Sequence, residues 1–277
     1  EISKDVLDAA PLFAKDNCRV LSNPRVRFIV DDGRNFLLTA RDRYDVITFE
    51  PMPLALAGVS AFYTREYYRL CLDRLAPGGL VSQWVPLHSL DPDIVRSLIA
   101  TFAAVFPECC AWFINADLFL VGSDRPLQID PARAAGRLST PDIAKALAEV
   151  GLDDPVEVMS CFFMSKEKIQ AYVRGGTIMT DDRPWAEFEA PKRVFARTVD
   201  KTLEQLEPYF ESPAILLAAD GLPNERLQQF GVALGRRHAA KAEVLKGLKQ
   251  YYGGTFGSRP ETHFKQALAI DPDDRTA

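Results

Sequence analysis

Residues 44–83, YDVITFEPMPLALAGVSAFYTREYYRLCLDRLAPGGLVSQ, constrain the fold more than any other part of the chain. They open on an apolar run with Val46, Ile47 and Phe49 that closes at Glu50 and is followed by Pro51 and Pro53. Proline cannot donate to a ladder or sit in a central strand, so the run predicts a buried strand ending on a carboxylate. After a small apolar loop over 54–61, Thr64 stands as an N-cap with Arg65 and Glu66 behind it. Tyr67, Leu70, Cys71 and Leu75 then repeat at helical spacing until Pro77-Gly78-Gly79 stops the helix. Residues 80–85, LVSQWV, predict a second strand. Strand, loop, helix and strand make a parallel βαβ unit, and its first loop lies at the strand's carboxyl end, where open α/β sheets place ligands. Glu50 therefore falls at the expected site.

Around this unit the pattern is also legible. An amphipathic helix is expected over 5–10, and residues 25–30 (RVRFIV) alternate well enough for a strand. Asp31-Asp32-Gly33 is a turn into a short helix, and either aspartate suits a helix cap. Asp91 caps a further helix that Pro107 ends. Two apolar runs, 109–114 and 118–122, joined through Asn115-Ala116-Asp117, predict an antiparallel hairpin at the sheet edge. From Asp124 onward Pro126, Pro131, Pro141 and Pro155 punctuate short helical segments over 132–138, 142–150, 156–163 and 166–174. From residue 194 everything is helical with Gly and Pro breaks.

Composition enters where it excludes functions. A net charge of −5 over 277 residues argues against a nucleic-acid footprint, and 47% hydrophobic content suffices for a core. The five cysteines are odd in number and lack paired metal-ligand spacing, so they are expected as reduced core residues. His88, His238 and His263 are scattered and no serine or cysteine sits in a nucleophile elbow, so neither metal nor nucleophilic chemistry is supported. His88, just past the second strand, is expected at the surface. No apolar run approaches the roughly 18 residues that a membrane helix needs.

A strand ending in an acid, a proline-containing loop, Tyr63-Thr64-Arg65-Glu66-Tyr67-Tyr68, Leu75-Ala76-Pro77-Gly78-Gly79 and a strand bearing Gln83 resemble the spermidine/spermine synthase family, and more closely its membrane-fused spermidine synthase-like branch. The later Thr180-Asp181-Asp182-Arg183-Pro184-Trp185 with Glu187 and Phe188 resembles that branch as well. The resemblance implies an α/β, Rossmann-like (adenosylmethionine-dependent methyltransferase-like) parallel sheet with an edge hairpin. The sheet would lack its first strands, because the glycine-rich turn of such folds would lie upstream of residue 1. It also implies a partial adenosyl-binding domain over 1–124, a helical cap over 125–193 that completes it, and a helical tail over 194–277. By resemblance Glu1 is the acid that holds the ribose hydroxyls, Asp32 accepts from the adenine amino group, and the backbone at Gly33 contacts the ring. Any membrane tether would lie upstream, with this chain on the cytoplasmic side.

The implied co-substrate is decarboxylated S-adenosylmethionine, or S-adenosylmethionine for another transferase on the same fold, with no metal. The implied partner is a small-molecule amine. Aminopropyl transfer is attack by a neutral amine on the carbon beside a sulfonium, and it needs a carboxylate that takes the amine proton. The family's strand ends Asp-x-x-Asp-Pro; here the first acid is Glu50 and Pro53 replaces the second, which removes one amine anchor. A carboxylate facing an apolar loop is expected to lose water, which suits a general base. Tyr63, Tyr68 and Gln83 fall near enough to line the substrate pocket, whereas Tyr67 fits the buried helix stripe. Near the end, Tyr251, Phe264, Ala267 and Pro272 resemble the spacing of a tetratricopeptide repeat, which would offer a protein partner a surface. Self-association is also left open, as is a non-catalytic scaffold on the same fold.

Overall fold

The computed structural model describes residues 1–50, 53–88, 90–114, 116–152, 154–193, 195–217, 224–254 and 257–274. Pro51, Asn115 and residue 194, expected in two turns and at the start of the tail, lie outside the described residues. The chain is a mixed α/β protein built on a five-stranded sheet in the order β1-β2-β4-β3-β5. β1 (Tyr44–Phe49) runs parallel to β2 (Leu75–Pro86), and α3 (Arg65–Arg74) makes the crossover between them. Thr64 caps α3 by accepting from the Tyr67 amide, as its position before the apolar stripe predicts. The helix ends at Arg74, earlier than the Pro-Gly-Gly stop, because β2 already begins at Leu75 and carries those residues past a register shift opposite Tyr44 and Val46.

Beyond β2 the sheet turns antiparallel. β3 (Glu108–Ile114) and β4 (Asp117–Ser123) form the expected hairpin, with β4 against β2 along its length. The hairpin is not the sheet edge, because β5 (Phe162–Met164) adds to β3. Residues 162 and 163 were expected to end a helix; instead that helix, α7 (Pro155–Ser160), stops and the next apolar residues extend the sheet. Among the five strands of the described residues, the β1–β2 pair is parallel and the other three pairs are antiparallel. Two further expectations give way. Residues 25–30 form no strand: Arg25 lies in a turn, the Arg25 and Val26 amides donate to Asn23, and the Ile29 carbonyl accepts from the Glu1 ammonium, while the Glu1 carbonyl accepts from the Asp31 amide. β1 is not a buried strand either. Paired on one side only among the described residues, it buries Ile47 while Val46 stays 58% exposed.

The helices cover the sheet. α4 (Pro92–Ala103), capped by Asp91, packs Ile94, Leu98 and Phe102 into the main core with Tyr67, Tyr68 and Phe106. α8 (Lys166–Tyr172) adds Ile169 and Tyr172. Val199, Leu203 and Leu206 of α10 (Val199–Leu206) and Leu245 of α11 (Asn224–Gly253) belong to this same core. α5 (Pro131–Leu138) and α7 lie over a second, smaller core where Phe162 and Met159 meet Leu216 and Leu234. α12 (Pro260–Ile270) packs on α11 through Ala240, Val244 and Ala267. Among the described residues no helix is long and apolar enough to cross a membrane. Cys71, Cys109, Cys110 and Cys161 are buried thiols as expected, but Cys18 is exposed at φ 54°, in the left-handed region.

Candidate active site

The carboxyl end of β1 is the place to build from. Glu50 follows Phe49 there and is exposed, so the loss of water expected of it is absent. The chain returns at Pro53, buries Leu54, and makes a single 3-10 turn over Val59–Phe62 before the Thr64 cap. Phe49, Phe62 and Tyr67 meet edge to face, with centroids 5.0 and 5.2 Å from Tyr67. This aromatic contact fixes where the loop rejoins the core.

The start of α2 (Gly33–Thr39) comes to the same end. Asp32 caps it, its Oδ1 accepting from the Asn35 amide at 2.9 Å, and stays half-buried beside exposed Gly33. Glu1 reaches the neighbouring backbone through its bonds to Ile29 and Asp31, while its own carboxylate accepts from the Ser3 amide. Arg34 then crosses to the loop that follows Glu50, donating from Nη1 to the Ala61 carbonyl at 2.9 Å. Its other partner is Asp181, which accepts from Nη1 at 3.0 Å and Nη2 at 2.5 Å, and also from Thr64 Oγ1 at 2.7 Å.

Asp181 belongs to a strap over 179–187 that the sequence marked only as a resemblance. The Met179 carbonyl accepts from the Arg65 amide, the Asp181 amide donates to Glu66, and Ser60 donates to Glu187. Hydrogen bonds from Arg34 hold the Asp181 carboxyl below its usual range, and the Asp181 partner in turn raises Arg34. No local signal in the sequence pairs residues 147 apart; a conspicuous Asp-Asp-Arg before Pro184 is the most that could have drawn attention to them.

Tyr63, Tyr68 and Gln83, expected to line a pocket, are 1%, 0% and 0% exposed. Tyr68 donates to Gln83 Oε1 at 3.1 Å, and Gln83 Nε2 donates to the Trp84 carbonyl at 2.7 Å. The Tyr63 hydroxyl donates to the same Trp84 carbonyl at 3.5 Å, so all three polar ends are partnered within the core and offer almost no surface. Burial pushes the Tyr63 and Tyr68 phenols well above their ordinary range, so they remain donors. Tyr67, 3% exposed, is a core residue as its spacing indicates, and Arg34 lies 6.0 Å over its ring. His88 stands at the surface, 3.6 Å from Asp117.

Residues 1–116 match the family model for the spermine/spermidine synthase domain. Polyamine aminopropyltransferase 2 of Pseudomonas aeruginosa is 27% identical over 173 residues, covering 59% of this chain and 49% of the relative. Spermidine synthase of Dictyostelium discoideum is 31% identical over 110 residues, covering 39% of this chain and 38% of its own length. The chain thus spans about half the length, or less, of the curated relatives it matches. Among solved structures, a probable spermidine synthase from Corynebacterium glutamicum aligns at 21% identity with a TM-score of 0.41, over 62% of this chain and 61% of the other. Residues 1–116 are thus similar to the spermine/spermidine synthase domain, and the curated relatives that the chain resembles are a polyamine aminopropyltransferase and a spermidine synthase by name.

Proposed function

We propose that the chain belongs to a spermidine synthase-like aminopropyltransferase that moves an aminopropyl group from decarboxylated S-adenosylmethionine to a small amine. One observation supports this reading beyond the domain match: Arg34, next to the Asp32–Gly33 helix start, donates to Ala61 in the loop that follows the exposed Glu50 and pairs with Asp181. In the reaction the amine nitrogen attacks the methylene carbon beside the sulfonium. The C–N bond forms as the C–S bond breaks, sulfur leaves as a neutral thioether, and Glu50 takes the proton released by the nitrogen. Asp32, Gly33 and Glu1 would hold the adenosyl group, which does not change during transfer. Tyr63, Tyr68 and Gln83 support this site from beneath, by fixing the loop and β2.

Finer features rest on sequence resemblance: the membrane-fused branch, with a tether on the cytoplasmic side, and a tetratricopeptide-like unit in α11 and α12 open to a protein partner. The one-sided pairing of β1, with Val46 exposed, supports a further strand supplied from outside these 277 residues. A second reading, a non-catalytic adenosyl-binding or scaffold domain, is favoured by Pro53 at the second acid position and by the burial of the expected amine-facing side chains.

Calorimetric titration of the full-length protein decides between them. Decarboxylated S-adenosylmethionine should bind more tightly than S-adenosylmethionine. The reverse order indicates another transferase, and no heat with either favours the scaffold. In the active protein, Glu50→Gln should leave co-substrate affinity within a few-fold and lower kcat by about 10² to 10⁴. Asp32→Ala should instead act mainly on KM, because it removes a contact made equally in ground and transition states.

A further inference from the structure

The sheet face turned away from the main core carries a groove. Alternation along the strands sends Val81 of β2, Leu120 of β4 and Ala111 of β3 into that core, and Leu80, Val121, Cys110 and Trp112 to the other face. Residues 126–130 and α5 pack over this second face and leave a hollow of about 640 Å³, within the range of about 300 to 1,000 Å³ of small-molecule sites. A smaller hollow of about 220 Å³ adjoins it, shares Ile129, Ala134 and Arg137 with it, and lies between α5, α7 and Phe230 of α11. Neither shares a residue with the candidate active site. β2 enters the groove by Gly78 and Leu80, at the amino end of its parallel pairing with β1, whereas Glu50 follows the carboxyl end.

The charges at the groove are one-sided. Arg125, Arg133 and Arg137 line the larger hollow, and Arg137 the smaller one too. All three are exposed, and among the described residues none of their guanidiniums forms an ion pair. Arg133 and Arg137 stand four apart on α5 and so share one side of it. The carboxylate on these walls is Asp130, which caps α5 by accepting from the Ala132 and Arg133 amides at 2.9 and 3.0 Å. Asp124, just outside, accepts from the Gly78 amide. Ser123 is partnered by the Gly79 carbonyl and the Arg125 amide, Trp112 Nε1 donates to Cys110 Sγ, and Gln128 is exposed. In a chain of net charge −5 this wall is positive, so an anionic head complements it, and a planar carboxylate matches the guanidinium fork. Behind the arginines the lining is apolar: Leu80, Val121, Ile129 and Leu216 in the larger hollow, Val158, Met159 and Phe230 in the smaller. A peptide would bring there an N–H and a C=O at each residue with nothing to bond them, whereas an alkyl chain brings neither.

We infer that this groove binds a small amphiphilic anion, an alkyl carboxylate, with its head at Arg125, Arg133 and Arg137 and its chain along the apolar floor into the hollow beside Phe230. The site is separate from aminopropyl transfer and does not rest on that reading. Calorimetry on the full-length protein at pH 7, below the micelle concentration of every probe, compares octanoate with octan-1-ol, octyltrimethylammonium and acetate. Octanoate should bind once per chain, at least tenfold more tightly than any of the other three. The double variant Arg133→Gln/Arg137→Gln, altered at exposed positions, should weaken octanoate at least tenfold. Ala134→Trp, which fills the junction of the two hollows, should do the same while leaving every charge in place. Octanoate binding no tighter than that of the alcohol, the ammonium or acetate overturns the ligand class. Absence of saturable octanoate binding overturns the site, as does unchanged affinity in either variant that keeps the parent's circular dichroism and melting temperature. Should both variants fail to fold, the ranking of the four probes on the unaltered protein decides.

Discussion

At residue 181 one side chain joins elements that the chain order keeps far apart. The Asp181 carboxylate accepts from Arg34 and Thr64, and its amide donates to Glu66, so the start of α2, the cap of α3 and the strap over 179–187 are joined at one residue. Its folded pKa is depressed, so its contribution to stability is present above the unfolded value of about 3.9 and is lost as pH falls through the folded value. Asp181→Asn should lower stability by about 1 kcal/mol at pH 7, a figure reduced for partial exposure, and the gap to the parent should close below about pH 4. Thermal melts of both proteins from pH 3 to 7 check it; a gap that is constant with pH would mean the charge is irrelevant. Cys71, Cys109 and Cys110 show the opposite pressure: burial pushes each thiol up to about 12, which keeps them protonated and inert.

Among the elements, the β1–α3–β2 unit and the β3–β4 hairpin were legible, whereas the state of residues 25–30 and of β5 was not. Thr64, the Tyr67 and Cys71 stripe and the acid at the end of β1 are local signals, and they hold because a βαβ unit is built from neighbours in sequence. Residues 25–30 carry a strand's alternation yet find no ladder, and Val26, Phe28 and Val30 stay 37%, 37% and 52% exposed. The three-residue run of β5 is too short for any period to separate it from the end of a helix, and its register with β3 decides its state. Gly79 marks where tertiary contact is tightest, because an added Cβ would lie 2.9 Å from the Ala76 and Tyr44 carbonyl oxygens and 3.1 Å from that of Asp45. These are backbone atoms beside the β1–β2 register shift and cannot rotate away. Gly79→Ala should therefore destabilise the protein by about 1 to 3 kcal/mol, read as a lower urea midpoint with an unchanged slope. An unchanged midpoint would mean the ladder slips to accommodate it.

Across the whole molecule, Arg237 of α11 binds Glu157 of α7 and Asp271 beyond α12, with all three side chains 3% exposed or less. Removing one partner leaves buried charges uncompensated, so Arg237→Met should cost about 3 to 5 kcal/mol, against almost nothing for Lys4→Met at the surface. Chemical denaturation of the two variants measures this, and a loss near zero for Arg237→Met would show that water enters the cluster. The boundary expected after residue 193 meets the same fact from another side, because Leu203, Leu206 and Leu245 from beyond it lie in the core that holds Tyr68 and Phe102. By itself the sequence determined the α/β class, the central unit and the carboxylate at its strand end, since these rest on spacing, caps and breakers within a few turns of chain. Only the tertiary structure decided that Tyr63, Tyr68 and Gln83 are core, that Asp181 clamps Arg34, and that a groove opens between β2 and α5. Each of those depends on residues distant in sequence, whose contact energy exists only once the layers have packed.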